Sequence, residues 1–318
     1  MRRAVLSFLI CMAGANPALA FDCSKAARAD EKAICADPSL VALDAQMSDA
    51  YARGLAKLDA QGQAAMKLSQ RVWLADRASC EGDGECLRGR IESRIGQLNP
   101  VPQAGTGGPQ LLPWFSSQPG ARNRWTIMVS GFTFAPPAQS LTLQTYLQNI
   151  DAEMPREEIP ADEIMPDGVP FQHVRSLTPT YLTARFLSAS DSVYEYGGGA
   201  HGNYGSTFLN MDVAKDAELQ FYDMFVQGSE SALIAECQRL LKQERAARND
   251  DDGEGWDYRG IVIEKIGKLI YWTFSQDSAA VYFAPYEAGS YAEGEYECRM
   301  PVAFLKPWLK PGNPWVGD

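Results

Sequence analysis

Apolar residues recur at helical spacing through the first hundred positions. Three stripes are separated by polar turns, and Asp37 as N-cap with Pro38 at the first helical position opens the first stripe. Each stripe offers few core residues, so the pattern predicts a compact helical hairpin or bundle that needs disulfide support. The stripes are Leu40, Leu43, Met47, Tyr51, Leu55 and Leu58; Ala65, Leu68, Val72 and Ala75, with Met66 and Trp73 beside them; and Leu87, Ile91, Ile95 and Leu98.

A segment rich in proline and glycine follows the third stripe. Residues 99–109 read NPVPQAGTGGP, and three prolines with three glycines in so short a run cannot continue a helix or fill a strand. We therefore predict a helical domain over residues 21–98, a linker over 99–109 and a second domain over 110–318.

After the linker the apolar period shortens towards two, which is typical of strands. The segment 189–192 (ASDS) interrupts this pattern and is predicted to be a turn between antiparallel strands, and one strong helix is predicted from near Ser229 to about Ala247. The fold class is therefore α+β: a small all-α domain precedes a larger α+β domain with a mainly antiparallel sheet. Predicted strands cover residues 125–129, 141–147, 181–187, 193–196, 207–213, 279–284 and 295–300.

The first twenty residues have the form of a secretory signal peptide. Arg2 and Arg3 precede an apolar run over 4–15, and the sequence ALA at 18–20 is a small-x-small cleavage signal. The run is too short to span a bilayer, and no later stretch is long enough. We predict cleavage after Ala20, a periplasmic or secreted location and no membrane span.

Six cysteines follow the signal peptide, and an even number favours disulfides in an exported chain. Three pairings are possible among the first four. Zinc is the alternative, but the chain has no CxxC pair and both histidines lie more than 80 residues beyond the fourth of these cysteines, so no metal or cofactor is predicted. Loop length favours neighbouring cysteines as partners, which leaves the last two for each other: Cys23 with Cys35, Cys80 with Cys86, and Cys237 with Cys298.

The acidic excess is unevenly distributed. The chain has 40 acidic and 29 basic side chains, a net charge of −11. Residues 21–98 hold 11 basic and 12 acidic side chains, whereas residues 99–318 hold 16 and 28. Such an excess repels nucleic acid and anionic lipid and attracts basic proteins. We expect no nucleic-acid binding and a basic protein partner for the larger domain.

The helical stretch also carries a specific combination of motifs. FDC lies at 21–23, EKAIC with a following Asp-Pro at 31–38 and QRVWLADRASC at 70–80, and a further cysteine comes a short loop later. In these features residues 21–98 resemble the N-terminal domain of the LprI-type lysozyme inhibitors. The resemblance implies lysozyme binding by this domain.

A second group of motifs lies in the larger domain. YEY with GGAHG occupies 194–202, DMF occupies 223–225, and FAPYE at 283–287 is followed by Tyr291 and Gly294. From about 111 to 309 the chain resembles the extracellular lysozyme-binding domain of the anti-sigma factor RsiV. This resemblance also implies a lysozyme partner, but without a transmembrane helix or a sigma-factor-binding segment it does not imply anti-sigma signalling.

The glycine-rich loop is the candidate partner-binding site. Five glycines between Gly197 and Gly205 permit positive φ and close backbone approach, and large amphipathic side chains flank them. The simpler alternative is a tight connection between two strands in which His201 satisfies backbone groups. The candidate binding residues are Tyr194, Glu195, Tyr196, Gly198, Gly199, His201 and Tyr204, joined by Tyr286 and Tyr291.

Catalysis is not predicted. Glu195 and His201 would need a nucleophile or a metal that the sequence does not present. A hydrolase would require these two side chains to converge in a deep pocket with a third polar group. GGGAHG lacks the lysine and the following helix of a phosphate-binding loop.

Two acidic stretches are predicted to be solvated loops, with a surface that steers a basic partner as the alternative. Calcium binding is disfavoured because an EF-hand register would place its first ligand at Arg248, which cannot coordinate. The stretches are Asp151, Glu153, Glu157, Glu158, Asp162, Glu163 and Asp167, and then Asp250, Asp251, Asp252, Glu254 and Asp257.

Four further side chains are assigned structural roles in preference to binding. Trp73 is predicted to anchor the helical core and Arg77 to form an ion pair on its surface. Tyr286 and Tyr291 are more often core residues, although a bent segment at a sheet edge would expose them.

The combined expectation is an exported, non-enzymatic protein that binds a basic lysozyme or a related peptidoglycan hydrolase and covers its substrate cleft. The alternative is a cell-envelope module that recognises peptidoglycan itself through aromatic side chains.

Overall fold

The computed structural model describes residues 22–119, 125–135, 139–155, 171–249 and 259–316. Its N-terminal part is helical, as predicted. The helices are α1 (Ala29–Ala36), α2 (Pro38–Lys57), α3 (Ala60–Arg77) and α4 (Gly84–Leu98), with short 3-10 turns at Cys23–Lys25 and Ala78–Cys80.

Aspartates cap three of these helices. Asp37 accepts from the Ser39 amide at the start of α2, and Asp59 and Asp83 do the same for α3 and α4. The buried face of α3 differs from the predicted stripe, because Met66 and Trp73 are buried whereas Ala75 is exposed. Trp73 is therefore a core residue, as predicted.

Arg77 is buried, so its predicted surface position is wrong. Only 4 % of the residue is exposed. Its Nε lies 3.1 Å from Asp30 Oδ2 and its Nη1 lies 3.4 Å from Asp44 Oδ1. The buried face of α3 is rotated from the predicted stripe, which turns Arg77 towards carboxylates of α1 and α2 and makes it an internal cross-link of the bundle.

The larger region contains a six-stranded sheet whose strands lie in chain order. Neighbouring strands are antiparallel except β2 and β3, which are parallel and are joined through helix α5 (Leu141–Ala152). The sheet is therefore mainly antiparallel, as predicted. Its strands are β1 (Leu111–Pro119), β2 (Trp125–Phe134), β3 (Phe171–Leu182), β4 (Phe186–Tyr196), β5 (Asn203–Asp212) and β6 (Ala217–Glu218).

The strand predicted at 141–147 is wrong, because this segment is the start of α5. Ser140 caps the helix by accepting from the Leu143 amide at 2.9 Å. Leu143, Leu147 and Ile150 are buried at helical spacing, whereas Leu141 is 73 % exposed. The leucines at 143 and 147 fit both periods, and the cap together with Ile150 favours the helix.

The turn predicted at 189–192 is also wrong. These residues lie inside β4, and the chain reverses earlier, where the Thr183 amide donates to Phe186 O. Their polar side chains have partners within the sheet: Ser192 Oγ is 2.9 Å from Ser206 Oγ of β5, and Arg175 of β3 donates to Asp191. Polar residues at this point therefore mark a polar strand.

A second, three-stranded antiparallel sheet packs with helices around the largest apolar core. Trp272, Phe274 and Phe283 are almost fully buried in it. Helix α7 confirms the helix predicted from near Ser229. The remaining elements are α6 (Phe221–Met224), α7 (Glu230–Asn249), α8 (Arg259–Ile266), β7 (Trp272–Phe274), β8 (Ser278–Phe283), β9 (Tyr296–Pro301) and α9 (Val302–Leu305).

Three disulfides link the chain in the predicted pairing. Two lie in the helical region, and the third connects α7 to β9. They are Cys23–Cys35, Cys80–Cys86 and Cys237–Cys298.

The segment predicted as a linker is packed against the larger region. Ala104 forms an isolated bridge with β3, where its amide donates to Thr180 O and its carbonyl accepts from Leu182. Gly105 has φ +98°, and a Cβ there would lie 2.0 Å from Leu182 O, so only glycine fits.

The helical region and the large sheet also share side-chain packing. Phe115 of β1 belongs to the helical core, where the Arg94 guanidinium lies 4.7 Å from its ring centroid. Gln172 of β3 donates to Asp76 of α3 at 3.1 Å. The described residues of the two regions are therefore in direct contact.

The predicted signal peptide lies outside the described residues. So do Glu157, Glu158, Asp162, Glu163 and Asp167 of the first acidic stretch and the whole of the second, 250–257. Within the described ranges, none of the helices has the length and apolar character needed to cross a bilayer.

Candidate binding surface

The glycine-rich loop is a hairpin connection between β4 and β5. Gly198 and Gly199 have φ of +95° and +98°, a backbone conformation that glycine adopts without strain. The Tyr196 hydroxyl donates back to Gly199 O at 3.1 Å. The loop thus has the tight strand connection that the simpler prediction expected, and it also positions the residues that follow.

Gly202 joins this loop to the segment after β8. Its carbonyl accepts from the Tyr291 hydroxyl at 2.6 Å and lies 3.0 Å from His201 Nδ1. The Tyr194 ring lies against Gly202, since a Cβ there would be 2.6 Å from the ring. Two segments almost ninety residues apart are therefore held together at one carbonyl.

Five aromatic side chains meet at this point, and we call them the aromatic patch. The His201 ring stacks on Tyr291 with centroids 3.6 Å apart. Tyr204 and Tyr286 approach the same Tyr291 ring at 5.9 and 5.7 Å. The patch consists of Tyr194, His201, Tyr204, Tyr286 and Tyr291, which are all candidate residues from the sequence.

The patch is open to solvent. Tyr286 is 61 % exposed, and Tyr194 and Tyr204 are 38 % and 37 % exposed. Tyr286 has φ +73°, a conformation that is uncommon for a non-glycine residue. The prediction that Tyr286 is a core residue is therefore wrong, because the turn after β8 presents its ring outward.

Glu195 lies outside the patch. Its side chain contacts His173 of β3, with Oε1 2.6 Å from Nδ1, as expected for the residues paired in the strand register. Burial lowers the pKa of His173, and the neighbouring Glu195 opposes this effect. Glu195 is thus engaged with the other histidine, while His201 bonds Gly202.

A polar groove of about 500 Å3 begins at the patch and runs between the two sheets. Tyr194 and Tyr204 line it at one end, and Tyr282, Glu295 and Arg299 line it from the smaller sheet. Burial beside Glu295 raises the pKa of Tyr282 and of Tyr204.

Sequence reasoning found Tyr194 and Tyr204 but missed the serines of the groove. The signal was present as serines at every second position of β4, namely Ser188, Ser190 and Ser192, which is the period of one strand face, and the last two of them line the groove. Interpreting 189–192 as a turn concealed it.

The described residues contain no cluster of three or more histidine, cysteine or carboxylate side chains suited to holding a metal ion. Together, the fold and the site define an α+β protein with a disulfide-linked helical region and an exposed aromatic surface.

Comparison with protein families finds two matches within this chain. Residues 23–109 match the family described as "Lysozyme inhibitor LprI", and residues 222–303 match the family described as "Protein of unknown function (DUF3298)". These matches do not confirm the resemblance of residues 111–309 to RsiV. A search of curated proteins finds no match.

A solved structure shows a similar fold. A DUF3298 family protein from Pseudomonas aeruginosa PAO1 is similar at 18 % identity and a TM-score of 0.50, over 67 % of this chain and 99 % of that one. A DUF3298 family member from Bacteroides fragilis NCTC 9343 is 15 % identical, with a TM-score of 0.48 over 66 % of this chain and 97 % of the other.

Proposed function

We propose that this chain is an exported lysozyme inhibitor that binds the enzyme and covers its substrate cleft. The observation that carries the proposal is the match to the lysozyme inhibitor family over residues 23–109, which include all four helices α1 to α4. The three disulfides fit an oxidising compartment such as the periplasm or the extracellular space. The predicted signal peptide would direct export and be removed by cleavage after Ala20.

We place the inhibitory contact on the aromatic patch. Exposed tyrosines on a rigid support provide large contact area at low conformational cost, and such residues dominate binding energy in many interfaces. The patch is rigid because Tyr291, His201 and Gly202 bond or stack with one another. The RsiV-like resemblance of this region supports the same placement.

Charge supports a basic partner. Residues 99–318 hold 28 acidic and 16 basic side chains. A protein surface with this excess accelerates encounter with a basic enzyme, and salt weakens the effect. The helical region, with 11 basic and 12 acidic side chains over residues 21–98, would contribute contacts with little steering.

The proposed activity is binding without catalysis. The alternative of a hydrolase needs Glu195 and His201 side by side. Glu195 instead contacts His173, and His201 bonds Gly202. This arrangement favours an inhibitor over an enzyme.

The experiment measures lysis of a cell-wall suspension by a basic lysozyme with increasing amounts of the exported chain. The double variant Tyr204→Ala/Tyr286→Ala should raise the concentration for half inhibition by about tenfold or more, since each hot-spot truncation costs at least about 1 kcal/mol. The matched control is Tyr222→Ala on α6, which is 47 % exposed and lies outside the patch.

Three results are informative. Inhibition that depends on the patch and weakens with salt supports the whole proposal. Inhibition that is unchanged in the double variant keeps the function and moves the contact away from the patch. Unaltered lysis without a complex by size-exclusion chromatography overturns the function.

A further inference from the structure

The floor of the polar groove carries a row of hydroxyl groups. Ser130, Ser176, Ser192 and Ser206 face one another across four neighbouring strands, because each is paired with the next in the strand register. The last three line the groove, and Ser130 continues the row outside it as a buried residue. Their Oγ atoms are 3.0 Å apart for Ser130 and Ser176 and 2.9 Å apart for Ser192 and Ser206. The covered face of a sheet is normally apolar, so this row needs an explanation.

The opposite wall of the groove also carries hydroxyl groups. Thr273 and Ser275 from the β7 end of the smaller sheet line the groove together with Tyr282 of β8. Ser192, Ser206 and Thr273 are only partly buried, so a bound molecule can reach them. The volume of about 500 Å3 falls within the usual range of small-molecule sites, roughly 300–1,000 Å3.

The charged side chains of the groove are largely matched within the protein. Arg299 forms an ion pair with Glu297, and Glu295 accepts from the Tyr282 hydroxyl at 3.1 Å. The serine hydroxyls bond one another in pairs, but each can both donate and accept, so they retain hydrogen-bonding capacity for a ligand. This lining favours a neutral ligand that carries many hydroxyl groups.

The mouth of the groove adds flat aromatic surface. Tyr194 and Tyr204 line that end and are each more than a third exposed. A tyrosine ring presents an apolar face beside a polar tip, which suits a ring that is apolar on its faces and polar at its edge. Sugar rings have this character.

We propose that the groove between the two sheets binds a neutral oligosaccharide of about two or three sugar rings, a length that suits its volume. The hydroxyl row bonds the edges of the rings, and the tyrosines at the mouth stack on a terminal ring. The site shares Tyr194 and Tyr204 with the aromatic patch, but its floor lies outside the patch, so floor variants test it separately from lysozyme inhibition.

Titration calorimetry on the exported chain tests the proposal with N-acetylglucosamine trimer, maltotriose and trilysine. We expect saturable binding of at least one trisaccharide. Ser206→Val on the floor and Thr273→Val on the opposite wall should each weaken it about tenfold, the loss expected when a ligand hydroxyl is left unpaired. Two variants on different walls guard against a folding defect in either.

The matched control is Ser117→Val on β1, which removes a buried hydroxyl that lies outside the groove. It should bind as the parent chain does. Lysozyme inhibition is measured on the same variants: Ser206→Val should retain it, whereas Tyr286→Ala should retain trisaccharide binding. Failure of this proposal and failure of the proposed function thus give different patterns.

Three results would overturn the oligosaccharide site. One is the absence of trisaccharide binding at about 10 mM, which is about ten times the Kd of 1 mM typical of a weak complex. Another is trisaccharide binding that neither groove variant weakens. The third is binding of trilysine alone, which would assign the groove to a cationic peptide.

Discussion

The two regions fill their cores differently. The helical region buries arginines at its centre, whereas the core around the smaller sheet is filled by aromatic rings. Arg77 and Arg94 are 4 % and 1 % exposed, and both lie in the core of the helices. Around the smaller sheet the corresponding volume is filled by Trp272, Phe274 and Phe283, which are almost completely buried. The two regions are of different size, and that difference explains the contrast.

A short bundle lacks enough apolar side chains to fill its centre. The arginines occupy that space with their alkyl chains. Arg77 pairs with two carboxylates, whereas Arg94 donates to neutral oxygens of Ser69, Gln70 and Gln97. Arg94 stacks on Phe115 and bonds Ser69, and burial lowers its pKa to about 9.

The larger region fills its main core with apolar side chains, and the buried charges beside it, Lys265 and Arg245, are paired with Glu287 and Glu293. Stability there depends mainly on apolar packing.

The largest loss of stability is expected when the charge of Arg77 is removed from the core of the helical region. Arg77→Met removes the partner that Asp30 and Asp44 share, while Asp30 keeps its ion pair with Arg28. The free energy of unfolding should fall by about 3 kcal/mol, the lower end for a broken buried ion pair. Urea denaturation followed by circular dichroism measures the loss. Arg71→Met, an exposed arginine on the same helix, should change stability by less than about 0.5 kcal/mol. Equal losses in the two variants would show that the ion pair does not hold the bundle.

The stability that each disulfide contributes should depend on the length of the loop that it closes, so removing a disulfide should affect the two regions differently. Cys237 and Cys298 are 61 residues apart, whereas Cys80 and Cys86 are 6 apart. Removing the long-range link by double alanine substitution should cost about 4 kcal/mol, and removing the short one about 2 kcal/mol, because the longer loop restricts the unfolded chain more. Thermal and urea unfolding of the two double variants give the comparison. A larger loss of unfolding free energy for the Cys80–Cys86 disulfide would contradict this order and would indicate that the helical region depends on this local link.

The smallest expected effect is a change in the pH dependence of stability, caused by His173 in the large sheet. Burial lowers the pKa of His173, so the folded state disfavours its charged form despite Glu195. This contribution to stability is complete above the ordinary histidine pKa of about 6.5 and declines as the pH falls below it. His173→Gln should therefore have a flatter dependence of unfolding free energy between about pH 7.5 and 5 than the parent chain.

The other histidine supplies the control. His201 is exposed, so His201→Gln should keep the dependence of the parent chain. If both variants behave alike, the pH dependence comes from carboxylates, and the burial of His173 has no measurable effect.

Several elements follow from short stretches of sequence. Asp37 followed by Pro38 begins α2, and the apolar positions after residue 229 give α7, because caps and helical spacing act within a few turns. The cysteine pairing followed from loop length alone. Strand prediction failed at 141–147, where two leucines fit both periods, and at 189–192, where polarity was taken for a turn.

The sequence by itself determined the class of the protein: a helical, disulfide-linked region before an α+β region, and the tyrosines and histidine of a candidate surface. Only the tertiary structure decided that the loop at 197–202 meets Tyr291, which in turn contacts Tyr286. It also decided that Glu195 contacts His173 and that serines of four strands form one row. Local hydrogen bonding and capping are encoded within a few residues. The neighbours of a strand residue depend on register and sheet packing, which join segments far apart in the chain.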